Sequence, residues 1–337
     1  MELKKYNSIE NSYQLEFLNE IKVQGFHKLE YVVQEKVHGA NLSFITNGKD
    51  IISAKRTELI TDDENFYNSK YVQQNYESKV FQMYKLISEK YTDVKQITIF
   101  GELFGGIYPH PNVKKISTAI AVQKGIYYSP DNEFYAFDIL VNSNQYLDTD
   151  TINSLFESIG FLYAKTLFRG SLNECLEYPN NFSSKISKWL NLPDLQQNIC
   201  EGVVIRPIQP NFLRNGSRVL IKNKNEKWME NNNFIDKNIL KSFFNQQETL
   251  SDDAQILCEE ILKYITENRL ENVISKIGTI TPKDYGKLLG LYCKDTLEDF
   301  LKIHKTEYGQ LEKYESKAIN KLLNTHAGIL ITNYLKN

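Results

Sequence analysis

The sequence predicts an α+β domain followed by a small all-α domain. Between Tyr31 and Lys224, short β-rich runs recur with turn residues between them. Near residue 226 the composition shifts to a stretch rich in Asn and Gln with weak periodicity, residues 228–249. From Ser251 onward the chain reads as helical, opening with a capping serine and two first-turn aspartates. The boundaries are placed at 1–233 for the first domain, 234–248 for a linker and 249–337 for the second. A chain of 337 residues exceeds the usual size of one domain.

Taken in order, residues 8–29 read as a short helix and loop. A strand at 31–34 then leads into Glu35-Lys36-Val37-His38-Gly39-Ala40-Asn41, and the following Leu42-Ser43-Phe44-Ile45 alternates like a second strand. Lys36 therefore sits at a strand end or the bend after it, where Gly39 is expected to let the backbone approach a ligand. Residues 42–56 read as a hairpin about Asn47-Gly48. Its return strand brings Lys55 and Arg56 back toward Lys36. Tyr76, Val80, Tyr84 and Ile87 give residues 69–91 a helical spacing. An apolar strand at 97–106 carries Glu102 and ends in glycines, and another covers 133–140. Short helices are expected at 151–159 and 182–190, and strands at 201–207 and 218–222. Thr281-Pro282 is a second helix start, and a third helix covers about 308–335. There is no internal repeat.

Composition narrows the function. Hydrophobic residues make up 41% and charged residues 24%, as in soluble globular proteins. The net charge of −2 means that a polyanion must be met by a local basic surface. No apolar run is long enough to span a membrane, and residues 1–6 lack the apolar core of a signal peptide. The four scattered cysteines form no Cys-x-x-Cys pair, which disfavours zinc and redox motifs and suggests reduced thiols in a cytoplasmic setting. No surface for a protein partner can be read.

Phosphate chemistry here cannot use a P-loop or a strand-borne Gly-x-Gly-x-x-Gly, since neither is present. A lysine can serve instead, provided its amine is uncharged. Lys36 reads as such a nucleophile. Lys222 and Lys224, two apart on one side of a strand, read as its cationic neighbours or as protection of an exposed edge. Glu102 and Glu201 can accept ribose hydroxyls, bind a hard cation or simply be solvated. Phe137 can stack on a base or pack in a core with Tyr135 and Ile139. Arg56 has the planar fork that grips phosphate. His38, Asn41 and Arg214 each have a structural alternative: a hydrogen-bonded histidine, a turn cap and a surface arginine.

Six short motifs occur in order. They are Lys36-x-His38-Gly39-x-Asn41, Ala54-Lys55-Arg56, Phe100-Gly101-Glu102, Phe137-Asp138-Ile139, Glu201-Gly202-Val203-Val204 and Lys222-x-Lys224. Together they resemble motifs I, Ia, III, IIIa, IV and V of the covalent nucleotidyltransferases, the superfamily of ligases and mRNA capping enzymes. His38, where the common first motif has aspartate, followed by Asn41, resembles the RNA ligase 2 family of phage RNA ligases and kinetoplastid RNA-editing ligases. Residues 210–216 also resemble that family. Residues 272–278 and 282–287 resemble the helical carboxy-terminal domain of the phage enzymes, which the editing ligases are expected not to share.

The resemblance implies a nucleotidyltransferase fold, an ATP-grasp-like adenylation domain of antiparallel sheets with flanking helices, followed by the all-α domain. It implies an ATP-dependent RNA ligase with a lysyl-AMP intermediate on Lys36. His38, Lys222 and Lys224 would share in catalysis. Glu35, Lys36, Val37, Asn41, Arg56, Glu102, Phe137, Glu201, Lys222 and Lys224 would contact the nucleotide, Glu102 at the ribose and Phe137 on the adenine. Glu201 and Asn41 would serve Mg²⁺ or Mn²⁺, and Lys55, Arg56 and Arg214 would meet RNA phosphate. The partner implied is RNA with 5′-phosphate and 3′-hydroxyl ends, at a nick in a duplex, with Lys276, Lys283 and Lys287 of the helical domain on its backbone. A DNA ligase, a capping enzyme and a non-catalytic RNA-binding module are the alternatives.

Overall fold

The structure, a computed structural model, describes residues 1–229, 243 and 250–336. It consists of two compact units, Met1–Lys227 and Trp228–Asn337. Apart from Phe243, the linker expected at 234–248 lies outside the described residues.

The first unit runs β1 (Glu10–Asn11), α1 (Leu15–Val23), β2 (Tyr31–Lys36), β3 (Ala40–Thr46), β4 (Ile51–Ala54), α2 (Ser69–Lys90), β5 (Ile97–Gly105) and β6 (Asn132–Val141). It continues with β7 (Gln145–Tyr146), α3 (Thr149–Ile159), β8 (Leu162–Tyr163), β9 (Thr166–Gly170), α4 (Leu172–Leu176), α5 (Ile186–Trp189), β10 (Gly202–Pro207) and β11 (Ile221–Lys224). One sheet has the order β1-β11-β10-β2-β9, and the other β4-β3-β5-β6-β7 with β8 beside β6. Pairing is antiparallel except for β1 with β11 and β6 with β8.

Local chemistry accounts for these elements. The Asn47 side chain accepts from the Lys49 and Asp50 N–H groups, each at 2.9 Å, and so closes the β3–β4 hairpin. Val72, Tyr76, Val80, Met83 and Ile87 form the buried stripe of α2, which packs on the second sheet with Phe44, Ile99 and Phe134. The first sheet has its own core, Tyr31, Val33, Val203, Ile205 and Ile221 under α1 and α4. Between the sheets lies a smaller cluster of Tyr6, Phe100, Leu140 and Leu220.

The sheets are also tied by charge. Asp138 in β6 is fully buried and meets Arg218 Nη1 at 2.7 Å and Arg206 Nη1 at 3.2 Å. Tyr6 donates its hydroxyl to the same carboxylate at 2.9 Å. Burial alone would push Asp138 up, but the two guanidiniums hold it below the usual carboxylate range.

The second unit contains α6 (Asp252–Lys263), α7 (Glu267–Ile277), α8 (Tyr285–Gln310) and α9 (Lys313–Lys336). Ser251 caps α6 by accepting from Ala254 N–H, and Thr266 caps α7. Thr281 and Asp284 form a capping box around Pro282 ahead of α8. The helix expected to begin near 308 begins instead at Lys313, because α8 runs on past a break at His304. Arg269 is buried on Asp295 and Asp299, at 2.6 and 3.0 Å.

Candidate active site

Lys36 is the last residue of β2 and Ala40 the first of β3, so Val37-His38-Gly39 carries the chain from one sheet to the other. A Cβ on Gly39 would stand 2.3 Å from the Leu103 carbonyl oxygen and 2.9 Å from Glu102 Cγ. The glycine therefore admits strand β5 at close range. The His38 N–H donates to the Tyr128 hydroxyl at 3.0 Å.

Register brings the distant motifs together. Gly202 in β10 lies opposite Lys36 on one side and Lys224 on the other. Its φ of +144° and the Asn223 carbonyl oxygen 2.2 Å from a Cβ position leave room only for glycine. Glu201, just before β10, places Oε2 2.6 Å from Lys36 Nζ and Oε1 3.0 Å from Lys224 Nζ. His38 Nδ1 is 3.9 Å from the same Oε2. Burial would raise Glu201, but Lys36, Lys224 and His38 together hold it down at about 2.

The structure brings Lys224 to the same carboxylate as Lys36, with Glu201 between the two amines. Lys222 sits farther along β11, opposite Val204.

The second sheet supplies the facing wall. Asn41 and Glu102 are cross-strand neighbours on β3 and β5. Burial pushes Glu102 up to about 7; Lys36 and Arg56 pull against this while the Glu201 charge adds to it, and Gly39 N–H donates to its carboxylate. Arg56 is thus within electrostatic reach of Glu102. Val37 is buried. Glu35, buried next to Lys36 in the chain, accepts the Lys185 N–H at 2.8 Å and is raised by burial to about 7.

Other expected positions fall differently. A bulge in β6, where Phe100 faces Asp138 and Gly101 faces Ala136, breaks the alternation that put Phe137 on one face with Tyr135 and Ile139. Phe137 packs with the inter-sheet cluster, its ring 5.0 Å from that of Tyr6. Lys55 is buried, with Nζ 2.8 Å from Glu58 and 2.7 Å from Glu64. Its charge is matched by these two carboxylates of the protein. Arg214 is exposed in the β10–β11 connection, its N–H bonded to Gln24.

Three groups that local reading does not single out support the site. Tyr128 holds His38, and the Tyr135 hydroxyl donates to the Glu35 carbonyl at 3.2 Å. Asn180 Nδ2 donates to the Lys224 carbonyl at 2.9 Å and to Asn223 Oδ1 at 3.0 Å. Each acts across more than forty residues, so no local pattern marks it.

Among the described residues no cluster of three or more His, Cys, Asp or Glu side chains could cage a metal ion. Mg²⁺ characteristically uses one or two carboxylates with substrate phosphates and water, and Glu201 could offer Oε2 to such an ion once its ion pair with Lys36 opens.

Comparison with known proteins shows the family. A family model described as RNA ligase matches residues 29–224, and one described as T4 RNA ligase 2 C-terminal matches residues 247–328. Mitochondrial RNA-editing ligase 2 of Trypanosoma brucei brucei is 27% identical over 348 residues, covering 88% of this chain and 83% of that protein. RNA-editing ligase 1 of the same organism is 28% identical over 377 residues, covering 93% and 79%. Alignments of that extent run past Lys227 into the helical unit. Among solved structures, an apo RNA ligase of Naegleria gruberi has a TM-score of 0.46 at 16% identity, covering 67% of this chain and 57% of that one. A form of that ligase with ATP and Mn has a TM-score of 0.46 at 15% identity, with the same coverage. The chain thus spans little more than half the length of those solved proteins. The first match covers more than half of the sequence and includes all six motifs, and the chain belongs to the RNA ligase family, in its RNA ligase 2 branch.

Proposed function

We propose that this protein is an ATP-dependent RNA ligase that joins 3′-hydroxyl and 5′-phosphate ends at nicks in duplex RNA. The observation that carries the reading is the pairing of Lys36 and Lys224 on the two oxygens of one buried carboxylate, at the corner between the sheets.

In the first step Lys36 Nζ attacks the α-phosphorus of ATP. A P–N bond forms, the P–O bond to pyrophosphate breaks, and the amine proton leaves to solvent. Paired with Glu201 the amine is an ammonium, so it must first give up one proton to solvent as that ion pair opens, and Lys224 remains to hold the carboxylate. Lys222, Lys224 and Arg56 offset the charge on the phosphates. Glu102, half protonated near neutrality, can both donate to and accept from a ribose hydroxyl. A divalent cation, Mg²⁺ or Mn²⁺, supplies charge neutralisation at the phosphates, with Glu201 and Asn41 as the residues that would hold it.

In the second step an RNA 5′-phosphate oxygen attacks the adenylate phosphorus, the P–N bond breaks and the amine is restored. In the third, the RNA 3′-hydroxyl attacks the activated 5′-phosphate, a P–O bond forms as the bond to AMP breaks, and the hydroxyl proton leaves to solvent. Recognition of the duplex would rest on A-form shape and 2′-hydroxyls.

The test is the mass of the intact protein after incubation with ATP and Mg²⁺. A gain of one AMP is expected, absent in Lys36→Ala. An unshifted mass in the unaltered chain, or labelling that survives Lys36→Ala, would reject the proposed chemistry. Sealing should favour ATP over GTP and nicked RNA over nicked DNA.

A further inference from the structure

The helical unit segregates its charge. From Leu250 to Glu312 there are twelve acidic residues and eight basic ones; from Lys313 to Lys336 four lysines face one glutamate. That glutamate, Glu315, is turned inward and buried, accepting the Ser251 and Glu312 N–H groups at 2.9 and 3.1 Å. The outer face of α9 therefore carries no acid.

On that face Lys313, Lys317 and Lys321 are all exposed, four residues apart. Among the described residues none of the three has an ion-pair partner. The opposite face, Ala318, Ile319, Leu322, Leu323 and Ala327, is packed into the unit, which fixes the direction of the stripe. Like charges at this spacing repel one another. By contrast, Lys263, Lys276, Lys294 and Lys302 elsewhere in the unit each have a carboxylate partner. An unbalanced row of cations along about 12 Å of helix axis is complementary to a row of phosphates.

We infer that the Lys313-Lys317-Lys321 face of α9 is a surface that grips the phosphate backbone of the RNA substrate. The inference rests on the ligase reading and gives that reading a specific contact surface, distinct from Lys276, which is bound to Asp295. Contacts of this kind carry no sequence information and fix position.

The experiment is binding of a labelled, nicked RNA duplex to the full chain at rising NaCl, with and without Lys313→Gln, Lys317→Gln and Lys321→Gln together. Each phosphate contact contributes about 0.9 to the slope of log K against log salt. The triple variant should lose about 2–3 from that slope. Over a fourfold rise in salt, the unaltered chain should therefore lose about 40-fold more affinity than the variant. Arginine at the three positions should keep the slope. Self-adenylylation should be unchanged, because none of the three lies in the first unit. A control replacing Lys22, Lys28 and Lys49 should leave the slope nearly intact. An unaltered slope in the α9 variant, or an equal loss in the control, would overturn the assignment. Failure of the unaltered chain to take up AMP would instead count against the ligase reading, and the two outcomes are read separately.

Discussion

Glu102→Gln tests the electrostatics of the site through stability. The folded-state carboxyl titrates at about 7, against 4.5 for the unfolded chain, with burial as the largest cause. Between those values the folded protein keeps a proton that the unfolded chain has released. Stability therefore falls as pH rises, by about 1.4 kcal/mol per pH unit for one proton. Across the whole interval this amounts to about 3 kcal/mol. Glu102 is partly exposed, and solvent screening brings the expected effect to about 1–3 kcal/mol. Glutamine has no proton to lose and still accepts from Gly39 N–H. The variant and the parent should thus be equally stable below about pH 4.5, and the variant more stable above about pH 8. Urea unfolding followed by Trp189 fluorescence, in a Trp228→Phe background, reports on the first unit. Stability curves that stay parallel from acid to alkaline pH would refute the reasoning.

Gly202→Ala should cost about 2 kcal/mol or more, because the new Cβ meets the Asn223 carbonyl at 2.2 Å at a φ of +144°. It should also slow AMP transfer in single-turnover assays by shifting Lys224. Asp138→Asn leaves two buried guanidiniums uncompensated and should cost about 3–5 kcal/mol, roughly 10 °C in Tm. Because the Asp138 carboxyl is held below its ordinary value, that stabilisation is present above about pH 4 and lost as pH falls further, so the gap in Tm should close in acid. Lys55→Gln should lower stability by about 1 kcal/mol and leave the salt slope of RNA binding unchanged.

Much of the site could be read in advance because its pieces lie at element boundaries. Lys36-Val37-His38-Gly39 interrupts two β-rich runs, and the chain does turn there between sheets. Asn47-Gly48 marked a hairpin because its geometry is local. What escaped depends on partners distant in sequence. The carboxylate on Lys36 comes from 165 residues away. The side on which Phe137 lies is decided by a bulge set by β5, and periodicity within β6 alone cannot show it. Lys55 looked available for phosphate because nothing in Ala54-Lys55-Arg56 reveals that Glu64 folds back over it. The tight packing at Gly39 was not legible because the atom it meets, the Leu103 oxygen, belongs to another strand.

The knot of Asp138 with Arg206, Arg218 and Tyr6 works as a latch on a pair of jaws. One jaw carries Lys36, Glu201 and Lys224, the other Asn41 and Glu102, and the latch limits how far they can gape. Dry ion pairs are little weakened by dissolved salt, whereas exposed ones fade over about a Debye length. The space proposed for the nucleotide should therefore keep its width in brine. Grip on a long polyanion outside it should not. Rising ionic strength should then divide the catalytic cycle, sparing enzyme charging while end joining fails.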